Sequence, residues 1–257
     1  MKIIRTNIKD LQKLETEKNS IATIGIFDGF HLYHQKLLDI AKEHAVNEDL
    51  NFIVITFSKK VIDFFNDCDL SLINYDDKYD YLMKQYPEVT HFIEIETDQD
   101  LVNTTKEEFA NILKDELNVV KLVEGQDFKF GSKASGNVEY LKEVFGEENV
   151  IIEPRHEEVS SSIIKSLISN GGMLDANRML GIPFNVGVEK LDNNQYQIIK
   201  PLIDIKPGKY SAVLDGFLMT SVIIDKDRKV SFVKEDTLKD EVVKKIKLNG
   251  YIDEIQK

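Results

Sequence analysis

Two histidines three residues apart, His31 and His34, follow the short apolar run Ile21-Ala22-Thr23-Ile24 and precede Leu37, Leu38, Ile40 and Ala41, which recur with helical spacing. Gly25 and Gly29 bracket the turn between strand and helix. A helix start offers unpaired backbone N–H groups and the positive end of the macrodipole, so an anion is stabilised there. His31 and His34 would add two side-chain donors at that end. The chemistry such a set suits is the binding of phosphates. A second set, Ser160-Ser161-Ser162 with Lys165 behind it, also stands before a helical pattern. Its hydroxyls and N–H groups suit either a second anion site or a simple helix cap.

The elements that must position these groups alternate along the first part of the chain. Strands are predicted at Ile3-Ile4, Ile21 to Gly25, Phe52 to Phe57, Phe92 to Ile95, Val119 to Val123 and Val150 to Ile152. Helices are predicted at His34 to Val46, Lys78 to Gln85, Thr105 to Leu117, Val138 to Phe145, Ser162 to Ile168 and Leu174 to Leu180. Thr104 and Thr105 are each followed three residues later by a glutamate, a capping-box pattern. This alternation implies a parallel sheet covered by helices, with ligands at the carboxyl ends of the strands, where the histidines fall. After Phe184 the texture changes to short strands at Tyr196 to Ile199, Tyr210 to Leu214, Leu218 to Ile224 and Val230 to Val233, with Asp215-Gly216 as a hairpin turn. Thr237 to Lys247 reads as an amphipathic helix with Leu238, Val242, Val243 and Ile246 on one face. The expectation is an α/β domain over 1–184 and a smaller β-rich domain over 185–257.

A chain of 257 residues with 42% hydrophobic and 30% charged side chains has the composition of an ordinary globular protein with one or two cores. No apolar run reaches the ~20 residues that span a bilayer, and Met1-Lys2-Ile3-Ile4-Arg5 is not followed by a signal-peptide core, so a cytoplasmic location is expected. Cys68 is the single cysteine, which leaves no intrachain disulfide and no cysteine zinc cage; its neighbours Asp67 and Asp69 argue against a reactive thiolate. The net charge of −12 argues against nucleic acid as a partner, and nothing points to a membrane. Residues 184–257 carry 13 basic and 12 acidic side chains, so the negative charge belongs to the first 183 residues. A phosphate-binding domain in that background must concentrate its cations locally or recruit a divalent metal.

The run from Gly25 to Gln35 resembles the signature G-N-F-D-G-x-H-x-G-H-Q of the FAD synthetase (FMN adenylyltransferase) family, of the bifunctional riboflavin kinase/FAD synthetase type. Gly25, Phe27, Asp28, Gly29, His31, His34 and Gln35 match, while Ile26 replaces Asn and Tyr33 replaces Gly. Val123 to Gly131, with Gly136, resembles the block G-x-D/N-F-R-F-G with Lys129 for Arg. Val159 to Lys165, and Ala176 to Phe184, resemble I-S-S-T-R-I-R and its A-N-R-L-L-G-R-P-Y tail, with Ile163 and Lys165 for arginines. The three motifs stand in family order across roughly residues 1–184.

The resemblance implies a Rossmann-like HxGH nucleotidyltransferase domain that moves AMP from ATP to FMN, giving FAD and pyrophosphate, with Mg²⁺ accompanying ATP. It implies His31 and His34 as catalytic donors to the triphosphate. Gly25, Phe27, Asp28, Gly29, Ser160, Ser161, Ser162 and Lys165 would contact ATP or its phosphates. Asp127, Phe130 and Phe65 would contact the flavin, and no protein metal ligand is assigned. Departures concentrate on the nucleotide side: Ser58-Lys59-Lys60-Val61 lacks the prolines and histidine of the family's T-F-x-P-H-P segment, and Tyr33 adds a ring where Gly lets a nucleotide approach. That ring either stacks on a base or fills the pocket. Pro207-Gly208-Lys209-Tyr210 resembles a riboflavin kinase turn, yet no G-F-P-T-A-N element follows Phe184, so the second domain reads as a reduced kinase barrel without kinase activity. The alternative reading is a catalytically degenerate flavin- or nucleotide-binding paralogue with a regulatory role.

Overall fold

The computed structural model describes residues 1–11, 18–155, 159–191, 195–216, 218–233 and 243–253. The chain forms two compact units. The first, Met1–Phe27, Tyr33–Asp69 and Tyr75–Glu158, runs β1 (Lys2–Thr6), α1 (Ile8–Leu11), β2 (Ser20–Ile24), α2 (Leu32–Asn47, of which Leu32 falls in the second unit), β3 (Asn51–Phe57), α3 (Val61–Phe65), α4 (Tyr75–Gln85) and β4 (His91–Ile95). It continues through α5 (Gln99–Asn103), α6 (Lys106–Asn111), β5 (Val119–Gly125), β6 (Lys129–Phe130), β7 (Gly136–Asn137), α7 (Val138–Phe145) and β8 (Val150–Glu153). The large sheet is parallel and six-stranded, in the order β1-β4-β3-β2-β5-β8. Buried runs such as Phe52 to Ile55 explain why these strands read as continuous apolar segments rather than alternating ones. From β2 the chain moves to β3 and β4 on one side, then returns to β5 and β8 on the other, so the topological switch point lies between β2 and β5.

The capping box is present at Thr105, whose hydroxyl accepts from Glu108 N while the Glu108 carboxylate accepts from Thr105 N. Thr104 instead closes α5. The helix expected to reach Leu117 changes to wider π-type turns over Ile112–Glu116.

The second unit contains Asp28–Leu32, Leu70–Asn74 and Val159–Lys257. Its elements are α8 (Ser161–Asn170), α9 (Met173–Leu180), β9 (Phe184–Lys190), β10 (Tyr196–Lys200), β11 (Gly208–Leu214), β12 (Leu218–Ile224), β13 (Lys229–Phe232) and β14 (Lys245–Asp253). The six strands close into a barrel in the order β10-β13-β12-β11-β14-β9. The boundary expected at 184 falls near Val159, because α8 and α9 bury Ile164, Ile168, Met173, Ala176 and Leu180 in the barrel's own core. Asn177 joins α9 to the strands: its amide donates to Leu248 O at 2.8 Å and Asn249 O at 3.0 Å and accepts from Phe184 N at 2.8 Å.

One expectation is corrected at the end of the chain. Lys245 to Lys247 are strand, not the end of a helix, since Ile246, Leu248 and Gly250 are buried with the period of two that β14 needs between β9 and β11. Val243 and Lys244 of the expected helix are described and belong to no helix, and 237–242 lie outside the described residues. Among the described residues no helix is long and apolar enough to cross a membrane.

Candidate functional site at the carboxyl ends of the strands

The turn after β2 is held from three sides. Gly25 N donates to Ile55 O at 3.0 Å, and Ile26 O accepts from both Thr56 Oγ1 at 3.0 Å and Lys78 Nζ at 2.8 Å. Phe27 then adopts φ +47°, a left-handed conformation rare for an aromatic residue. Its ring covers Gly25, where an added Cβ would sit 3.5 Å from it, and meets the His34 ring edge-to-face with centroids 5.2 Å apart. Lys78 was not singled out from the sequence, where it reads only as the first residue of a helix running to Gln85. The available signal is its place four residues before Leu82, on the face of α4 that is buried.

Asp28, Gly29 and His31 belong to the second unit, and all three are buried. The Asp28 carboxylate accepts from Leu72 N and pairs with Lys165 at 2.8 Å, while Ser161 Oγ donates to Asp28 O at 3.1 Å. Gly29 has φ +88°, and a Cβ there would come within 2.9 Å of Leu180. Ser160 caps α8 by accepting from Ile163 N at 3.3 Å, and Ser162 is exposed. The serine run is therefore a helix cap with one hydroxyl turned to the Asp28 turn, and Lys165 stands beside that turn as its counter-charge.

In the first unit a cavity of about 570 Å³ opens beside Gly25 and Ile26. Its apolar walls include Phe57, Phe109, Phe128 and Phe130, and Phe128 stacks on Phe130 at 5.5 Å with an interplanar angle of 17°. Lys59, Lys129 and Lys133 also line it, together with the carboxylate of Asp127, which pairs with Arg155. Asp127 and Phe130 thus come together as the sequence suggested. Phe65 does not join them: it is 61% exposed on the short α3, against Phe64, and Val61 of the same helix lines the cavity instead. Phe128 is also a cavity wall.

Tyr33 lies over the ends of β5 and β8. Its hydroxyl donates to Glu153 O at 2.8 Å and would sit 2.6 Å from a Cβ on Gly125. The Arg155 guanidinium lies 5.1 Å from the ring centroid. Burial, then the neighbouring Asp127, pushes the Tyr33 phenol up to about 12, so it is a neutral donor near pH 7. One strand inward, Glu124 is 1% exposed and accepts from Ile24 N at 2.8 Å where β2 and β5 separate. Burial holds this carboxyl well above its ordinary value.

A parallel sheet with its switch point between β2 and β5, a glycine turn leading into a helix and a cavity at the strand ends define a doubly wound α/β fold of Rossmann type. The chain belongs to the FAD synthetase family, whose profile matches residues 13–166. It is 29% identical over 205 residues to the bifunctional riboflavin kinase/FMN adenylyltransferase of Buchnera aphidicola subsp. Schizaphis graminum, covering 76% of this chain and 64% of that protein. It is 29% identical over 178 residues to the FAD synthetase of Listeria monocytogenes serovar 1/2a, covering 65% of this chain and 70% of that one. The chain thus spans less than two thirds of the length of the first of these curated relatives. A crystal structure described as a macrolide-efflux protein from Streptococcus pneumoniae shares the fold, with a TM-score of 0.83 at 21% identity, covering 100% of this chain and 93% of that one.

Proposed function

We propose that this protein is an FMN adenylyltransferase that uses ATP to convert FMN to FAD. The observation that carries the reading is the phenylalanine-walled cavity with lysines in its lining, at the strand ends beside the glycine turn. Its size and walls suit a planar tricyclic ring system, with Phe128 and Phe130 as the aromatic wall and Asp127 as a polar anchor. Lys59, Lys129 and Lys133 favour the phosphorylated flavin over riboflavin in a chain whose net charge is −12.

In this reading an oxygen of the FMN phosphate attacks the α-phosphorus of ATP, the bond to the bridging oxygen of the β-phosphate breaks, and pyrophosphate leaves. His31 and His34 donate to triphosphate oxygens as charge moves onto the leaving group, which is positioning and electrostatic stabilisation rather than covalent catalysis. Gly25 and Gly29 let the backbone take the turn, Phe27 and Asp28 hold it, and Ser160, Ser161, Ser162 and Lys165, expected from the family resemblance to meet the phosphates, serve here as the cap of α8 and the support of the Asp28 turn. Mg²⁺ bound with ATP would supply charge neutralisation on the phosphates. No residue of this chain is assigned to hold that ion. Riboflavin kinase activity is not part of the proposal, since residues 184–210 hold no G-F-P-T-A-N sequence. A cytoplasmic location, with neither nucleic acid nor membrane as partner, completes the reading.

A second reading is favoured by one contact. Tyr33, bonded to Glu153 O above Gly125, fills space at the strand ends where a nucleotide would approach, as in a flavin-binding relative that has lost catalysis. Separate calorimetric titrations with ATP and FMN, followed by chromatography of FAD and pyrophosphate, test both. The enzyme binds both ligands and forms product, whereas FMN binding without ATP binding or FAD formation supports the second reading.

A further inference from the structure

Lys78 is 3% exposed, among the most buried charged side chains described here, on a face of α4 that it shares with the apolar Leu82. Burying an ammonium is costly unless it is hydrogen-bonded and near an opposite charge, which Glu94 supplies here. Its Nζ donates to Ile26 O at 2.8 Å and to Thr56 Oγ1 at 3.2 Å, and Thr56 Oγ1 itself donates to Ile26 O at 3.0 Å. The Ile26 carbonyl belongs to the same peptide plane as the Phe27 N–H. Fixing the direction of that oxygen fixes the plane from which φ of Phe27 is measured, and a flip of the plane would return Phe27 to negative φ. The observed +47° is a conformation an aromatic residue keeps only where its surroundings over-determine it. In this conformation the Phe27 ring caps Gly25 and presents its face or edge to His34, 5.2 Å away at 67°.

We propose that Lys78 is a positioning residue for His34: its ammonium pins the Ile26–Phe27 peptide, and Phe27 in turn sets the orientation of the His34 imidazole. The inference rests on the adenylyltransferase reading only for its effect on rate. Thr56 is the junior partner, holding the same carbonyl with a neutral donor, which is a weaker bond than the charge-assisted one from Lys78.

The test uses the full chain with Lys78→Met and Lys78→Gln, read by FAD formation per folded molecule, riboflavin affinity and the ¹H–¹³C resonance of the His34 ring. With five histidines in the chain, the His34 line is assigned from a His34→Gln variant. Lys78→Met is expected to move the His34 resonance and to lower the rate about tenfold or more, the scale of a misplaced catalytic group, with riboflavin affinity within about twofold. Lys78→Gln, whose amide can still donate to Ile26 O, is expected to recover most of both signals. A His34 line and rate within about twofold of wild type in Lys78→Met overturn the proposal, as does a loss that tracks the unfolded fraction alone. Should the wild type form no FAD, the adenylyltransferase reading fails while the His34 resonance still decides the role of Lys78. Should Lys78→Met not fold, Thr56→Val removes the second donor to the same oxygen; a smaller shift in the same direction supports the proposal, and an unmoved His34 line overturns it.

Discussion

Tyr33 donates its hydroxyl to Glu153 O at 2.8 Å directly above Gly125, so one side chain of the helix start closes the ends of two neighbouring strands. The motif position that is glycine in the family signature is here a fixed wall. If the wall covers a nucleotide approach, Tyr33→Gly increases ATP affinity or FAD formation, and its melting temperature falls through loss of the hydrogen bond and the added backbone entropy, about 1 kcal/mol each. Calorimetry with ATP checks the first part and thermal denaturation the second. Weaker ATP binding in the variant would mean that the ring serves as a stacking surface.

The same contact predicts a coupling. Gly125→Ala places a Cβ 2.6 Å from the Tyr33 hydroxyl and 3.1 Å from Asp127, so one of them must move, at about 1–3 kcal/mol for overpacking. In a Tyr33→Gly background the nearer obstacle is gone, and the alanine should cost markedly less. A double-mutant cycle in urea measures this; additive effects would show that the two positions do not interact.

Glu124 predicts a pH dependence. Burial raises its folded pKa above the ordinary value of 4.5, so the folded state holds the proton more tightly than the unfolded chain. The stability this contributes is fully present below the unfolded pKa and is lost as pH rises through the folded pKa. Glu124→Gln keeps an oxygen for Ile24 N and has no proton to lose. Its melting temperature relative to wild type should therefore rise between pH 5 and pH 8, and a difference that is constant with pH would contradict the assignment.

Asn177 predicts an effect on stability. Three hydrogen bonds tie its amide to Phe184 N and to the carbonyls of Leu248 and Asn249 in β14. Asn177→Ala leaves these backbone groups without that partner, a loss of about 1–3 kcal/mol that urea unfolding should report. Full stability in the variant would mean that water replaces the amide at no cost.

The sequence by itself determined the alternating strands and helices, the turn at Gly25 to Gly29, the cap at Thr105 and the Asp127 to Gly131 block. Each of these is local: apolar runs, a glycine where φ is positive, or a side chain that reaches three residues along. Tertiary structure alone decided the rest. Lys78 meets Ile26, and Tyr33 meets Glu153, across gaps in the chain that no periodicity encodes. Ile246 reads as part of a helical stripe until β9 and β11 supply the neighbours that make it a strand residue. Likewise α8 and α9 carry the family's motif residues yet fold with the barrel, because an apolar helix face shows how much it must bury but not against which partner.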